Sequence, residues 1–271
     1  MSSFTAPGPS TLDTRTIVNN IDMAPTFVAA RTALDVPQPE ATALQSVQAC
    51  AGRLGAADFS PEGANFSRGG PSKNFIYLAS QSARRRQLLE QLGVRYQLLL
   101  PDAGEDAESI EAVIGSERPA AYVKRVTALK LAAALHRRKR RGLAAAPILC
   151  SDTTVALGRT IYGKPLDAAD ARRMLEELSG KTHRVLTVVS MGTQRKQVQV
   201  LSESFVTFAA LTRPQILAYG TTGEPMGKAG AYAVQGAAAA FISKISGSYS
   251  GIMGLPLFET AQMLRSLGLK F

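Results

Sequence analysis

The chain has 271 residues, of which 45% are hydrophobic and 19% charged, and its formal net charge at pH 7 is +10. This length and apolar content suffice for one large folded domain, or for one domain with an appendage. No window holds the roughly 18 consecutive apolar residues of a membrane-spanning helix, and no basic stretch leads into an apolar one at the N-terminus, so we expect a cytoplasmic protein that neither enters a membrane nor is secreted.

The first 74 residues differ in composition from the rest. They hold five Lys/Arg and six Asp/Glu, which leaves 26 basic and 15 acidic residues on positions 75–271. Proline, serine and threonine are frequent near the start, and residues 67–73 (SRGGPSK) are typical of a linker. We therefore predict a weakly ordered N-terminal extension over residues 1–74 and a single domain over residues 75–271.

Short apolar runs alternate with helical periods from Phe75 onward. In order, the sequence predicts a strand from residue 75, a helix over 83–92, a strand over 96–100, a helix over 119–136, a strand over 147–157, a helix over 168–178, long strands over 183–193 and 197–209, a helix over 213–219, a glycine-punctuated strand region and a helix over 257–267. This order indicates an α/β domain with a mixed sheet, in which the two adjacent long strands are antiparallel.

The first candidate binding element is the segment 75–89, FIYLASQSARRRQLL. An apolar strand leads through a turn of small residues that includes Ser80 into a helix whose first turn carries Arg84 and Arg85. Backbone N–H groups and the positive end of the helix dipole meet there, so the segment predicts a polyphosphate site. A solvated basic helix face is the alternative interpretation.

A second candidate is the segment 148–165, ILCSDTTVALGRTIYGKP, which places Asp152 inside an apolar strand. A carboxylate there is unfavourable unless it is paired, hydrogen-bonded or bound to a metal, so Asp152 is the leading candidate for catalysis. A carboxylate that caps a neighbouring loop is the alternative. Thr153 follows it directly, and Lys164 could lie near phosphate oxygens or could be solvated.

A third candidate is the glycine-rich segment 228–256, which contains Gln235 beside Gly236. The Gln235 amide has both a donor and an acceptor, so it could bind the edge of a base or satisfy its own loop.

The densest basic run, residues 136–141 (HRRKRR), follows a predicted helix. We interpret it as a solvated helix end, because cations are favourable there and no aromatic residues interleave with the run as in a single-strand binding surface. Contact with nucleic acid is the alternative, and we expect no specific nucleic-acid partner.

Two histidines and two cysteines without ligand spacing argue against a structural zinc site and against a structural disulfide. A metal bound here is therefore expected to be Mg²⁺ or Mn²⁺, held by carboxylates and phosphates.

Four strings occur in order at suitable spacings and together resemble the Maf family of nucleoside triphosphate pyrophosphatases. They are LASQSARRRQLL, SDTTVALGRTIYGKP, LSGKTHRV and AGAYAVQG with ISGSYSGIMGLPL. The resemblance covers nearly all of the chain from Phe75 to the end. It implies a Maf-like α/β fold similar to the inosine triphosphatase fold, with a mixed elongated sheet and flanking helices that form two lobes around a cleft.

The resemblance also implies roles for particular residues. Asp152 matches the proposed proton acceptor, and Arg84, Thr153 and Gln235 match positions associated with substrate choice. The other polar positions of the cleft are expected to be Ser80, Arg85, Glu105, Lys130 and Lys164. Glu105 and Asp152 would hold the divalent cation, and a homodimer is common in the family.

The DT pair at Asp152 and the YAVQG block resemble the branch of the family that hydrolyses dTTP and UTP, which implies removal of unwanted pyrimidine nucleotides. One departure is Ala83, which stands where the family usually has proline and leaves the helix start less rigid. The alternative function is a cell-division regulator that acts by binding, with little or no catalysis.

Overall fold

The computed structural model describes residues 74–102, 104–105 and 109–271. The prediction of a weakly ordered extension therefore concerns residues that lie almost entirely outside the described part of the chain. None of the helices in that part is long and apolar enough to cross a membrane.

One mixed sheet of seven strands organises the described residues. The strands are β1 (Ile76–Leu78), β2 (Tyr96–Leu98), β3 (Ile148–Leu157), β4 (Thr160–Tyr162), β5 (Thr182–Gly192), β6 (Gln197–Phe208) and β7 (Ile242–Ser246). Their order is β2-β1-β3-β5-β6-β7, and β4 pairs with β3 outside this path. β1 is parallel to β2 and β3, whereas the pairs from β3 through β5 and β6 to β7 are antiparallel.

Six α-helices flank the sheet in the described residues. They are α1 (Ala83–Gln91), α2 (Pro119–Arg140), α3 (Ala168–Leu178), α4 (Arg213–Gly220), α5 (Tyr249–Met253) and α6 (Leu257–Ser266). Short polar side chains fix several of the starts. Ser82 and Asp167 each accept a backbone N–H at the head of α1 and α3, and Thr212 forms a reciprocal capping box with Gln215 at α4.

The predicted α/β class, the mixed sheet and the antiparallel long strands are confirmed. The main differences lie in the segments rich in glycine and alanine. Residues 229–231 and 237–241 form 3₁₀ turns, residues 249–253 form a helix, and only β7 is a strand in the region that the sequence predicted as strands. The helix predicted over 119–136 continues to Arg140, so most of the basic run lies inside α2.

The pairing of β3 explains why the domain has a cleft. β5 covers one edge of β3 over residues 148–156. On the other edge β1 pairs only with Ile148 and Leu149, and β4 pairs only with residues 155–157. Residues 150–154 therefore have no strand partner on that edge, and Asp152 lies at the middle of the gap.

Separate apolar clusters build the two lobes on either side of this gap. α1 and α6 pack on one face of the sheet near β1, where Leu78, Leu89 and Leu264 are fully buried. α3 and α4 pack with Phe208 and Tyr232 beyond β4. α2 crosses the opposite face and contacts both halves of β3 through two further clusters. The alternation of side chains along a strand therefore turns Asp152 towards α2 and Thr153 towards α5.

Candidate active site

A cavity of about 920 Å³ opens at the gap in β3. Its wall contains six Lys/Arg and four Asp/Glu residues, so the lining is polar and carries an excess of positive charge. A cavity of this size accommodates a ligand of nucleotide dimensions. The excess of cations indicates that the ligand is an anion.

The wall brings together most of the residues predicted from the sequence. Those that line it are Ser80, Arg84, Arg85, Glu105, Lys130, Asp152, Thr153 and Lys164. Gln235 does not line it.

Lys130 joins Asp152 to a second carboxylate, that of Glu111. Its Nζ donates to Asp152 Oδ1 at 2.6 Å and to Glu111 Oε1 at 2.7 Å. Asp152 is 9% exposed, and Lys130 reaches it from the central turns of α2. The ammonium group of Lys130 therefore lies between the carboxylates of Asp152 and Glu111.

The charge state of this cluster follows from its contacts. Burial alone would raise the pKa of the Glu111 carboxyl, but Lys130 and Lys164 outweigh burial and hold that pKa below its usual value. Burial alone would lower the pKa of Lys130, but Asp152 and Glu111 outweigh it and raise that pKa. Glu111 and Lys130 are therefore both ionised at neutral pH.

Lys164 follows β4 and reaches the same cluster from the opposite lobe. Its Nζ donates to Glu111 Oε2 at 2.9 Å, and more than half of its side chain is exposed. The sequence left open whether Lys164 is solvated or turned to a ligand. Its ammonium group borders the cavity, where phosphate oxygens can reach it.

Arg85 ties the turn after β1 to the floor of the cavity. Its Nε donates to the Gly254 carbonyl oxygen at 2.8 Å, and its Nη1 donates to Ser80 Oγ at 3.1 Å. Gly254 has a φ of +118° and lies against the guanidinium, so a Cβ there would be strained and would stand 3.4 Å from Arg85 Nε. Arg85 therefore uses at least two of its N–H donors in hydrogen bonds within the protein.

Thr153 and Ser80 lie on the same side of the cavity as Arg85. Thr153 Oγ1 contacts Arg85 Nη2 at 3.4 Å and Thr187 Oγ1 at 2.9 Å. Ser80 is 8% exposed, and its Oγ also accepts the backbone N–H of Ser82.

Arg84 faces the cavity with fewer internal contacts. Among the described residues its side chain makes no hydrogen bond, and burial lowers its pKa while Glu224 partly offsets that effect. Burial and the nearby Arg84 also lower the pKa of Lys228. Two cations held close together in a half-buried wall favour an anionic ligand between them.

Glu105 lies in a different cluster from Asp152. Its carboxylate accepts from Arg137 Nε at 3.0 Å and from Arg140 Nη2 at 2.6 Å, and these arginines lower its pKa to about 2 against the opposing effect of burial. Glu105 lines the same cavity as Asp152 but makes its ion pairs with Arg137 and Arg140, whereas Asp152 binds Lys130. Its assignment as a metal ligand stays a prediction, and Glu111 is the carboxylate that shares a cation with Asp152.

The basic run at the end of α2 is not a merely solvated helix end. Arg137 is 4% exposed and also donates to the Leu99 carbonyl oxygen at 3.0 Å. Arg140 and Arg141 both bind Asp102. The interpretation of a solvated helix end is therefore wrong for Arg137, which is buried, whereas Arg140 and Arg141 are exposed and also bind the connection that follows β2.

Gln235 is exposed and makes no hydrogen bond to another described residue. It lies beside Gly236, which packs against the Glu224 carboxylate, and that carboxylate also accepts the backbone N–H of Ala237 at 2.9 Å. Glu224 is the group that faces Arg84 and Lys228. The Gln235 loop is therefore anchored next to the basic wall, with its amide unpaired.

Sequence reasoning missed Glu111, Thr187 and Glu224. Glu111 lies in a short 3₁₀ turn, Thr187 lies inside an apolar strand, and Glu224 lies in a polar loop. Thr187 is the one with a detectable pattern, because a hydroxyl inside a buried strand needs a partner.

The site and fold are those of a defined class of protein. The family model described as "Maf-like protein" matches residues 75–267, so the chain belongs to that family. This agrees with the resemblance found in the sequence and with the mixed sheet that surrounds the cleft.

Curated relatives match the same part of the chain over nearly their whole length. A protein from Albidiferax ferrireducens named dTTP/UTP pyrophosphatase is 73% identical over 196 residues, which is 72% of this chain and 98% of the relative. Proteins of the same name from Polaromonas sp. and Cupriavidus metallidurans are 67% and 62% identical, over 74% and 73% of this chain and 99% of each relative. The Ham1 protein of Staphylococcus aureus aligns at 13% identity and a TM-score of 0.28, over 49% of this chain and 71% of that one. That likeness is too low to compare folds.

Proposed function

We propose that this protein hydrolyses dTTP and UTP to the nucleoside monophosphate and pyrophosphate. The observation that carries the proposal is the cluster at the gap in β3, where Asp152, Lys130 and Glu111 lie in one cavity with Arg84 and Lys164. The names of the relatives, at up to 73% identity, support the pyrimidine substrates.

Asp152 is proposed as the proton acceptor. Lys130 occupies its Oδ1, whereas Oδ2 makes no hydrogen bond within the described residues and is available for the proton of an attacking water. The hydrogen bond from Lys130 holds the carboxylate in place, as the positioning of a general base requires. Attack at the α-phosphorus then forms the monophosphate and releases pyrophosphate.

The cations of the wall are proposed to bind the triphosphate. Arg84 has free donors, and Lys164 and Lys228 reach the cavity from other elements. Together they offset the charge that builds on the leaving pyrophosphate. Ser80 and Arg85 shape the turn that faces the same phosphates.

A divalent cation, Mg²⁺ or Mn²⁺, fits the donor set. Asp152 and Glu111 supply two carboxylates, which lie on either side of the Lys130 ammonium group. Mg²⁺ commonly takes one or two carboxylates together with substrate phosphates. Among the described residues no group of three or more acidic, histidine or cysteine side chains forms a complete metal site. When bound, the cation would polarise phosphate oxygens as a Lewis acid.

The direct test is pyrophosphate release across a panel of nucleoside triphosphates with Mg²⁺ or Mn²⁺. We expect UTP and dTTP to be hydrolysed faster than CTP, GTP and ATP, because relatives up to 73% identical to this chain are named dTTP/UTP pyrophosphatase. Monophosphate and pyrophosphate should form in equal amounts. No release from any triphosphate would contradict the proposal and favour a protein that acts by binding, and stepwise release of inorganic phosphate would contradict the bond assigned for cleavage.

Gln235 is expected to contribute to the choice of base. Replacing Gln235 with alanine should lower the ratio of kcat/KM for UTP to that for GTP, because an amide that pairs with a uracil edge leaves unmet polar groups when another base binds. Its exposed position predicts an effect on this ratio with little effect on the melting temperature. Gln215→Ala, which alters a capping amide on α4, is the control, and an unchanged ratio in Gln235→Ala would remove the residue from base selection.

A further inference from the structure

Two hydroxyl groups on neighbouring strands link β5 to the cavity. Thr187 on β5 lies opposite Thr153 on β3. Thr187 Oγ1 donates to the Gly251 carbonyl oxygen at 2.7 Å and contacts Thr153 Oγ1 at 2.9 Å. Thr187 is 1% exposed, so a ligand cannot reach it directly.

The direction of these hydrogen bonds is fixed by their ends. A hydroxyl has one hydrogen, and a carbonyl oxygen can only accept. Thr187 spends its hydrogen on Gly251, so it must accept from Thr153. Thr153 thereby spends its own hydrogen inside the sheet, and Arg85 Nη2, which can only donate, lies 3.4 Å from the same oxygen.

We propose that Thr187 is a positioning residue that makes the Thr153 hydroxyl a pure hydrogen-bond acceptor towards the cavity. The inference rests on the proposed function and adds a rule for the substrate: the ligand group bound at Thr153 must carry a hydrogen on nitrogen or oxygen.

This rule distinguishes parts of a nucleotide. Inner phosphate oxygens of a triphosphate carry no hydrogen at neutral pH, so Thr153 does not bind the phosphate chain through them. Uracil and thymine carry a hydrogen at N3, whereas N3 of cytosine is an acceptor. The 3′-hydroxyl of the sugar is the other donor that UTP and dTTP share.

The two sources of the hydrogen can be separated with substrate analogues on the unaltered protein. If the donor is the base, 3-methyl-UTP should show kcat/KM about 10-fold or more below that of UTP, the effect of one good hydrogen bond. If the donor is the sugar, 3′-deoxy-UTP should show that loss instead. Equal kcat/KM values for UTP and both analogues would overturn the proposal.

The role of Thr187 itself is tested with Thr187→Val and Thr187→Ser. Valine has the shape of threonine but accepts no hydrogen bond, so the Thr153 hydroxyl becomes free to turn and donate towards the cavity. If the donor is the base, we expect the ratio of kcat/KM for UTP to that for CTP to fall about 10-fold in Thr187→Val, while Thr187→Ser keeps it within about twofold. If the donor is the sugar, the ratio of UTP to 3′-deoxy-UTP should fall instead.

Thr153→Val removes the acceptor and serves as the reference for a double-mutant cycle. In that background Thr187→Val should not change the relevant ratio further. A uniform loss for every substrate in Thr187→Val, or the same change of ratio in Thr187→Ser, would show that Thr187 only supports the fold. Should Thr187→Val fail to fold, Thr153→Val must still abolish the discrimination against the analogue, and its failure to do so overturns the proposal. Failure of the proposed function is a separate result, since the unaltered protein would then release no pyrophosphate from UTP or dTTP.

Discussion

Asp152→Asn is expected to lower kcat for UTP at least about 100-fold, which is the usual contribution of a general base. Asparagine has almost the same shape and can still accept the hydrogen bond from Lys130, so the fold and the cavity should persist. The amide cannot take up a proton from water. The loss should therefore appear in kcat more than in KM, with a melting temperature close to that of the unaltered protein.

Glu203→Gln is a suitable control for this experiment. It changes a carboxylate to an amide in the ion pair with Arg184, on β6 and outside the cavity wall. Its kcat for UTP should stay within about twofold, because this ion pair lies outside the cavity wall. Its melting temperature should change little, because exposed ion pairs contribute little to stability. Near-normal turnover by Asp152→Asn would remove Asp152 from the role of proton acceptor.

Glu111→Gln is expected to cost at least about 10-fold in kcat/KM at limiting Mg²⁺, as losses of groups around a metal commonly do. The variant leaves Lys130 and Lys164 without the charge that lies between them and removes one of the two carboxylates proposed for the cation. Higher Mg²⁺ should restore part of the rate. Binding of Mn²⁺ to the protein, followed by electron paramagnetic resonance, should weaken independently of turnover.

Glu105→Gln is the matched comparison, because the two glutamates lie on the same connection between β2 and α2. Glu105 binds Arg137 and Arg140, so its replacement should lower the melting temperature. Its Mn²⁺ affinity should fall less than that of Glu111→Gln. If Glu105→Gln weakens Mn²⁺ binding more than Glu111→Gln does, the assignment from the sequence is right and the one from geometry is wrong.

Local patterns were sufficient to predict most of the fold. Helix α3 was predicted with both of its ends, because a cap at Asp167 and a strong apolar stripe agree there. β5 begins and ends one residue earlier than predicted, and β6 begins as predicted and ends one residue earlier. The segment 229–241 was harder, since its small residues fit tight turns and strands alike and their conformation depends on contacts with distant groups such as Glu224.

The site was only partly predictable. Asp152 could be identified because a carboxylate inside an apolar strand needs a partner, but its partner Lys130 lies 22 residues away and was assigned by resemblance. The choice between Glu105 and Glu111 depends on where each side chain lies within the connection between β2 and α2. No local pattern shows which of them reaches Lys130 and which reaches Arg137.

The gap on the edge of β3 also bears on which partners can pair with the open edge of this strand. Exposed backbone N–H and C=O groups at the edge of a sheet invite a strand from another molecule, and such pairing leads to aggregation. In this domain the open stretch is only residues 150–154, and β1 and β4 close it at both ends. A foreign strand could pair with at most these five residues, about the length of an ordinary strand, and its ends would meet β1 and β4. The same arrangement that opens a backbone edge to a small molecule therefore limits how far any added strand could extend along β3.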